Sequence, residues 1–221
     1  MNLTIVAATG GIGLQLLEQA VDAGQKITAI VRNPQRLSRE VRTFVADLAN
    51  PDSATLRSAI MGADAVLSGL GARSAADTGV ATRGTQAIVQ AMSAVGVKRI
   101  IVVSAAPIGT VPSPAQPHPP KYDPGDGFFM RHLLAPLTKA ALREHYADLA
   151  TMEDVLRESD ADWTIVRPPR LTDGPLTGRY RIANGQNLRR GLSISRADVA
   201  HFMLRALGQP EMIRQVIGVA N

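Results

Sequence analysis

Short, nearly unbroken Val/Ile runs alternate with amphipathic stretches over the first hundred residues, and a glycine-rich turn joins the first run to the first stretch. Together these predict an α/β chain, a single domain built on a doubly wound parallel sheet with helices on both faces. Strands covered on both sides are apolar throughout, whereas a strand with one wet face alternates. Right-handed crossovers then give a Rossmann-type order. A chain of 221 residues can bury a sufficient core without cross-links.

The first strand falls at residues 3–7 (LTIVA), and the helix after the turn runs to about Ala23, with Gly24 as its stop. Residues 26–31 (KITAIV) and 42–46 are the next two strands. Asn50-Pro51-Asp52 caps a helix to about Met61, and 64–68 is the fourth strand. A helix from about Thr78 to Val95 ends at Gly96, and 97–103 (VKRIIVV) is the fifth strand. There the regularity stops. An insertion over residues 106–138 carries eight of the fourteen prolines, and its first part, to 127, reads as a long loop leaving the fifth strand. A loop of that length inside a domain is a functional lid or a disordered segment. Residues 128–138 (FFMRHLLAPLT) read as a short apolar helix that either folds the insertion onto the core or meets a partner.

Helical periodicity returns over 139–159, with Leu142, Tyr146, Leu149, Val155 and Leu156 on one side. Residues 162–167 (DWTIVR) form the sixth strand, which Pro168-Pro169 ends, and irregular segments follow. Ser195 and Asp198 open the last helix, to Leu207, as a capping pair. Residues 215–219 are a final strand.

Composition removes several function classes. Cysteine is absent, which excludes disulfides, zinc–thiolate sites and thiol nucleophiles. His118, His132, His145 and His201 never fall at a metal-ligand spacing, so no metal is expected. No apolar run reaches the length of a membrane helix. The first strand begins at once after Met1-Asn2, which leaves no room for a signal peptide, and a cytoplasmic location is expected. The net charge is +5, but the arginines are scattered apart from Arg189-Arg190 and aromatics make only 4% of the chain. That pattern argues against a nucleic-acid surface and for an anionic small ligand.

The turn Ala7-Ala8-Thr9-Gly10-Gly11-Ile12-Gly13 lies where a dinucleotide fold keeps its phosphate site. Gly10 lets the backbone approach a pyrophosphate, and Gly13 lets the helix pack close to the sheet. The free N–H groups and positive end of that helix then meet the anion. Ala7 stands where the pattern has its first glycine, which predicts a shifted turn. NAD sites place a carboxylate at the end of the second strand; this chain has Arg32 and Arg36 there instead, which suits the 2′-phosphate of NADP(H). Asp47 and Leu48 close the third strand where adenine would lie, and Gly69-Leu70-Gly71 follows the fourth on the ribose side. Ser104 ends the fifth strand, either beside the nicotinamide or bonded to backbone.

These residues carry a resemblance to the atypical short-chain dehydrogenase/reductase family, and within it to the biliverdin reductase B, or NADPH-dependent flavin reductase, group. The Ala-Thr-Gly-x-x-Gly turn, Val-Arg-x-x-x-Arg-Leu, Asp47-Leu48, Leu156–Ser159, RPPRL at 167–171, DGPLTG at 173–178 and DVAHFML at 198–204 support it over most of the chain outside about 105–140. The resemblance implies that Thr9, Gly10, Gly11, Ile12 and Gly13 hold the pyrophosphate and Arg32 with Arg36 the 2′-phosphate. It implies Asp47, Leu48, Leu70 and Gly71 on the adenosine, Ser104 at the nicotinamide–substrate face, and Pro169 and Leu171 as further cofactor-binding residues. Arg170 replaces the histidine that follows the Pro-Pro pair in that group; it would bind an acceptor carboxylate or phosphate, or touch the cofactor. The Tyr-x-x-x-Lys pair of classical members is missing, since Tyr146 is followed four residues on by Ala150.

The function so implied is an NADPH-dependent reductase. It would pass a hydride to a planar acceptor such as flavin, quinone or a linear tetrapyrrole, with Ser104 and Arg170 as candidate catalytic residues. The alternative is a non-catalytic NADP(H) sensor resembling NmrA-like regulators. The expected partner is a small molecule, with no nucleic acid and no membrane; a homodimer stays open.

Overall fold

Strand β1 (Asn2–Val6) pairs in parallel with β2 (Lys26–Val31) on one side and β4 (Ala65–Ser68) on the other. The structure is a computed structural model describing residues 1–72, 77–128 and 130–221. With β3 (Arg42–Val45), β5 (Arg99–Val103), β6 (Asp162–Arg167), β10 (Gln215–Ala220) and β8 (Arg181–Asn184), these make an eight-stranded sheet in the order β3-β2-β1-β4-β5-β6-β10-β8. Every pair is parallel except β10 with β8. The order reverses between β1 and β4, and the crevice at that reversal is where such sheets bind ligands.

Helices α1 (Gly11–Asp22) and α6 (Arg196–Ala206) cover one face. Leu16, Leu17, Val199 and Met203 meet Ile5, Leu67 and Ile101 of the sheet there, all fully buried. On the other face α2 (Ser53–Ile60), α3 (Val80–Val95) and α5 (Arg143–Glu158) pack Leu56, Ile88, Met92 and Leu156 on Val66, Ile100 and Ile165. The doubly wound α/β expectation therefore holds, with both strand faces dry.

Several boundaries differ from the sequence reading for local reasons. Helix α3 starts at Val80 because Gly79, at φ +80°, turns the chain into it without a side-chain cap. The cap comes from outside: Asp148 on α5 accepts from Ala81 N and Thr82 N, both at 3.0 Å. The helical stretch 139–159 divides at Leu142 into α4 (Ala135–Ala141) and α5, and Leu142 is exposed. Asp52 caps α2 as expected, accepting from Thr55 N at 2.8 Å. Ser195 caps α6, but the Asp198 carboxylate does not complete a box; it accepts instead from Thr177 N, Thr177 Oγ1 and Gly178 N. Beyond Pro168-Pro169 the expected irregular segment contains β8 and a separate parallel pair, β7 (Arg170–Thr172) with β9 (Ser193–Ser195).

The insertion is anchored along its length. Ala115 N donates to Asp154 of α5, Lys139 Nζ donates to Thr110 O, and buried Asp123 accepts from Gly125 N and Asn187 N. Its apolar end is a π-helical turn (Met130–Leu134) leading into α4. Phe128 stacks near His132 and stays 81% exposed, as Leu133 and Leu137 also stay exposed, so these three do not fold the segment into the core. Phe129 of the same predicted helix lies outside the described residues.

Candidate functional site: a coenzyme cleft at the strand ends

The turn after β1 closes when Gly10 N donates to Ala7 O at 2.7 Å. Ala7 takes up the left-handed conformation itself, at φ +57°, which an L-residue adopts only under strain. Gly13 has no room for a side chain, because a Cβ there would collide with the Ala7 carbonyl. Helix α1 thus starts directly against the strand, with no side-chain cap and no acid in its first turn. Its leading N–H groups and positive end point into the crevice, the arrangement that attracts a phosphate.

Next to the turn lies a cleft of about 170 Å³ lined by Ala7, Thr9, Arg32, Arg36, Asp47, Leu48, Leu70, Gly71, Asp77 and Val80 among others. Seven of the sequence-predicted residues (Thr9, Arg32, Arg36, Asp47, Leu48, Leu70 and Gly71) therefore share one wall or another of it. Leu48 and Leu70 are buried beside Val80 and form its apolar side. Asp47 is exposed and holds its own turn by accepting from Ala49 N. Arg36 sits on a one-turn 3-10 helix (Pro34–Arg36) that Asn33 caps. Arg32 bonds Asp77 at 3.0 Å, a carboxylate the sequence reading did not include.

Ser104, Pro169, Arg170 and Leu171 are not part of that wall. Ser104 Oγ donates to Glu153 Oε1 at 2.6 Å, and Glu153 is completely buried. The same carboxylate accepts from Arg167 Nε at 2.8 Å, from Arg167 Nη2, and from Arg157 Nη2 at 2.6 Å. Buried charge is tolerated only when paired and hydrogen-bonded in this way. The Ser104 hydroxyl therefore bonds a side chain and not the backbone. Glu153 was missed, although an acid within the apolar stripe Tyr146, Leu149, Met152, Leu156 was a visible signal. Arg170 is exposed on β7, and Leu171 and Pro169 are half-buried.

His145 was also passed over. Its Cε1 lies 3.9 Å from the point a Cβ on Gly71 would occupy, at the edge of the cleft. Burial pushes its imidazole below the ordinary 6.5, against the opposing pull of Asp148. Among the described residues no cluster of His, Asp or Glu could hold a metal. No described helix is long and apolar enough to cross a membrane.

The uncapped α1 turn, the glycine contact that a Cβ would fill and the adjoining half-apolar cleft fit a dinucleotide. The comparisons agree. Residues 7–210 match the family described as NAD(P)H-binding, and the chain belongs to that family. The uncharacterized sugar epimerase YhfK of Bacillus subtilis is 29% identical over 219 residues, covering 95% of this chain and 89% of that protein. A short-chain dehydrogenase/reductase from Veillonella parvula, solved in complex with NADP, superposes with a TM-score of 0.78 at 22% identity, over 100% of this chain and 94% of that one. ChuY, an anaerobillin reductase from Escherichia coli O157:H7, gives 0.77 at 21% identity, over 100% and 97%. The fold is thus that of Rossmann-type NAD(P)-binding oxidoreductases.

Proposed function

We propose that this protein is an NADPH-dependent reductase of a planar, electron-poor acceptor such as a flavin, a quinone or a linear tetrapyrrole. The observation that carries the reading is the pair Arg32 and Arg36 lining one cleft at the end of β2, where an NAD site keeps a carboxylate. Arg32 is half exposed, so its pairing with Asp77 is the weak kind that a dianionic 2′-phosphate displaces. The bound nicotinamide supplies the hydride. The chain supplies orientation: the α1 turn fixes the pyrophosphate, Leu48 and Leu70 the adenine side, and the ends of β5 and β6 the acceptor side. ChuY, a reductase over the same fold, supports the class of reaction.

Two experiments test it. Mixing the protein with NADPH and FMN or menadione should consume NADPH, followed by its absorbance. In calorimetry, Arg32→Asp with Arg36→Ala should weaken NADPH binding on the order of a hundredfold and leave NADH binding nearly unchanged, given about 1.5–3 kcal/mol per lost charge-assisted bond. Equal loss for both coenzymes refutes the clamp.

A second reading, a non-catalytic NADP(H) sensor, has one observation in its favour. The Ser104 hydroxyl is engaged by Glu153, and Tyr146 is buried with its phenol pushed above its ordinary pKa by that burial. Neither is a ready proton donor. Tight NADPH binding without turnover over a panel of acceptors would favour this reading.

A further inference from the structure

We infer that Arg196, at the first position of α6, is a coenzyme-binding residue that closes over the pyrophosphate, with Asp173 positioning it. The inference rests on the reading that the Gly10–Gly13 turn receives that pyrophosphate.

The geometry is direct. A Cβ on Gly11 would lie 2.6 Å from both Cδ and Nε of Arg196 and 3.6 Å from its Cζ, so the arginine lies flat on the first residue of α1. The backbone of its neighbours is held there by two bonds. Ser195 caps α6 by accepting from Asp198 N at 2.9 Å, and Gln19 Nε2 of α1 reaches Ala197 O at 2.9 Å. Glycine at position 11 is therefore needed for the approach of a guanidinium, a role different from those of Gly10 and Gly13.

The electrostatics call for an anion. Arg196 occupies the first turn of its own helix and rests on the first turn of α1, so one cation sits between two positive helix ends. The first turn of α1 carries no acid, and the acid in the first turn of α6, Asp198, is engaged by Thr177 and Gly178. Among the described residues the guanidinium has one hydrogen-bond partner, Asp173 Oδ1 at 2.6 Å, whose side chain is 91% exposed. So exposed a carboxylate orients the guanidinium but compensates little of the charge. Several of the five donors of the guanidinium stay available. A diphosphate ester on the α1 turn meets them, and that chemistry is common to NADPH, NADH and ADP.

The test separates this role from that of the β2 arginines. Arg196→Met should weaken NADPH, NADH and ADP binding alike, by about tenfold or more in calorimetry, as expected for a lost charge-assisted contact. Binding of adenosine 2′-monophosphate, which has the 2′-phosphate but no pyrophosphate, should be unchanged and reports an intact fold. Arg196→Lys should recover part of the loss. Gly11→Ala, which pushes the arginine aside, should reproduce it. The inference is overturned if Arg196→Met binds ADP as the wild type does, or if it loses adenosine 2′-monophosphate equally. Should the wild type bind neither coenzyme nor ADP, the pyrophosphate reading itself fails, and with it this one.

Discussion

Ala7 shows how much one residue can hold in a tight turn. An L-residue in the left-handed region costs roughly 1–2 kcal/mol relative to glycine, while glycine adds about 0.4–1 kcal/mol of unfolded-state entropy. Ala7→Gly is therefore expected to stabilise the protein by about 0.5–1 kcal/mol, read as a higher urea midpoint at an unchanged slope. A destabilised variant would mean that the φ of +57° carries no strain. At this scale the sequence was legible wherever a residue acts through its own backbone or its place on a strand end, as with Gly13, Leu48, Leu70 and the two β2 arginines. It was not legible where a side chain acts on one far away. Ser104 was visible as a strand-end hydroxyl, yet its partner Glu153 arrives 49 residues later. Asp77, which meets Arg32 from 45 residues further along, and Arg196, which packs on Gly11 from near the other end of the chain, were hidden for the same reason.

Between elements, a carboxylate from α5 caps the start of α3, beside the apolar packing that joins the two helices. Asp148 takes the two leading donors of α3, which has only glycine at its own cap, and its carbonyl also accepts from Thr82 Oγ1 at 2.9 Å. Removing a cap costs about 1 kcal/mol, and leaving its donors without partners in a buried setting adds about as much. Asp148→Ala should lower stability by about 2 kcal/mol and the Tm by roughly 4–8 °C, given about 2–4 °C per kcal/mol for a chain of this size. Asp148→Asn, still an acceptor, should retain most of it. A Tm unmoved in the alanine variant would remove this carboxylate from the account. Periodicity and caps located α1, α2 and all seven parallel strands of the large sheet to within one or two residues. The missed strands share one cause: β7, β8 and β9 are three or four residues long and set among prolines and glycines. Strands so short carry no period, and pairing across the chain defines them instead.

For the whole molecule, the alternation of strand and helix decided the architecture, because only a two-face covered sheet can bury strands as apolar as VKRIIVV and KITAIV. The insertion was legible as a break but not in its anchoring, which needs Asp154 and Asn187 from distant elements. The distribution of buried titratable groups also gives the whole fold a direction in pH. Burial lowers the His145 pKa from 6.5, so its neutral form is favoured in the folded state and protonation opposes folding. For Asp198 burial alone would raise the pKa, but the bonds from Thr177, Gly178 and Ser195 outweigh it and the net shift is below 3.8. Exposed Asp52 is lowered too, by its bonds to Thr55 and Ala54. A depressed pKa contributes stability above the unfolded value that is lost as pH falls through the folded one. Among the described carboxyl groups, Asp126 runs the other way: burial raises it, so the stability it contributes is fully present below 3.8 and is lost as pH rises through its folded pKa. Stability should therefore hold level between pH 8 and 7, begin to fall below about 6.5 as His145 charges, and drop steeply below about 4. Urea midpoints from pH 8 to pH 3 measure this. The Asp198→Asn variant, weaker at neutral pH, should converge on the wild type at the acid end, and a constant gap between the two across the range would show that this carboxylate titrates in the folded protein as it does in the unfolded chain.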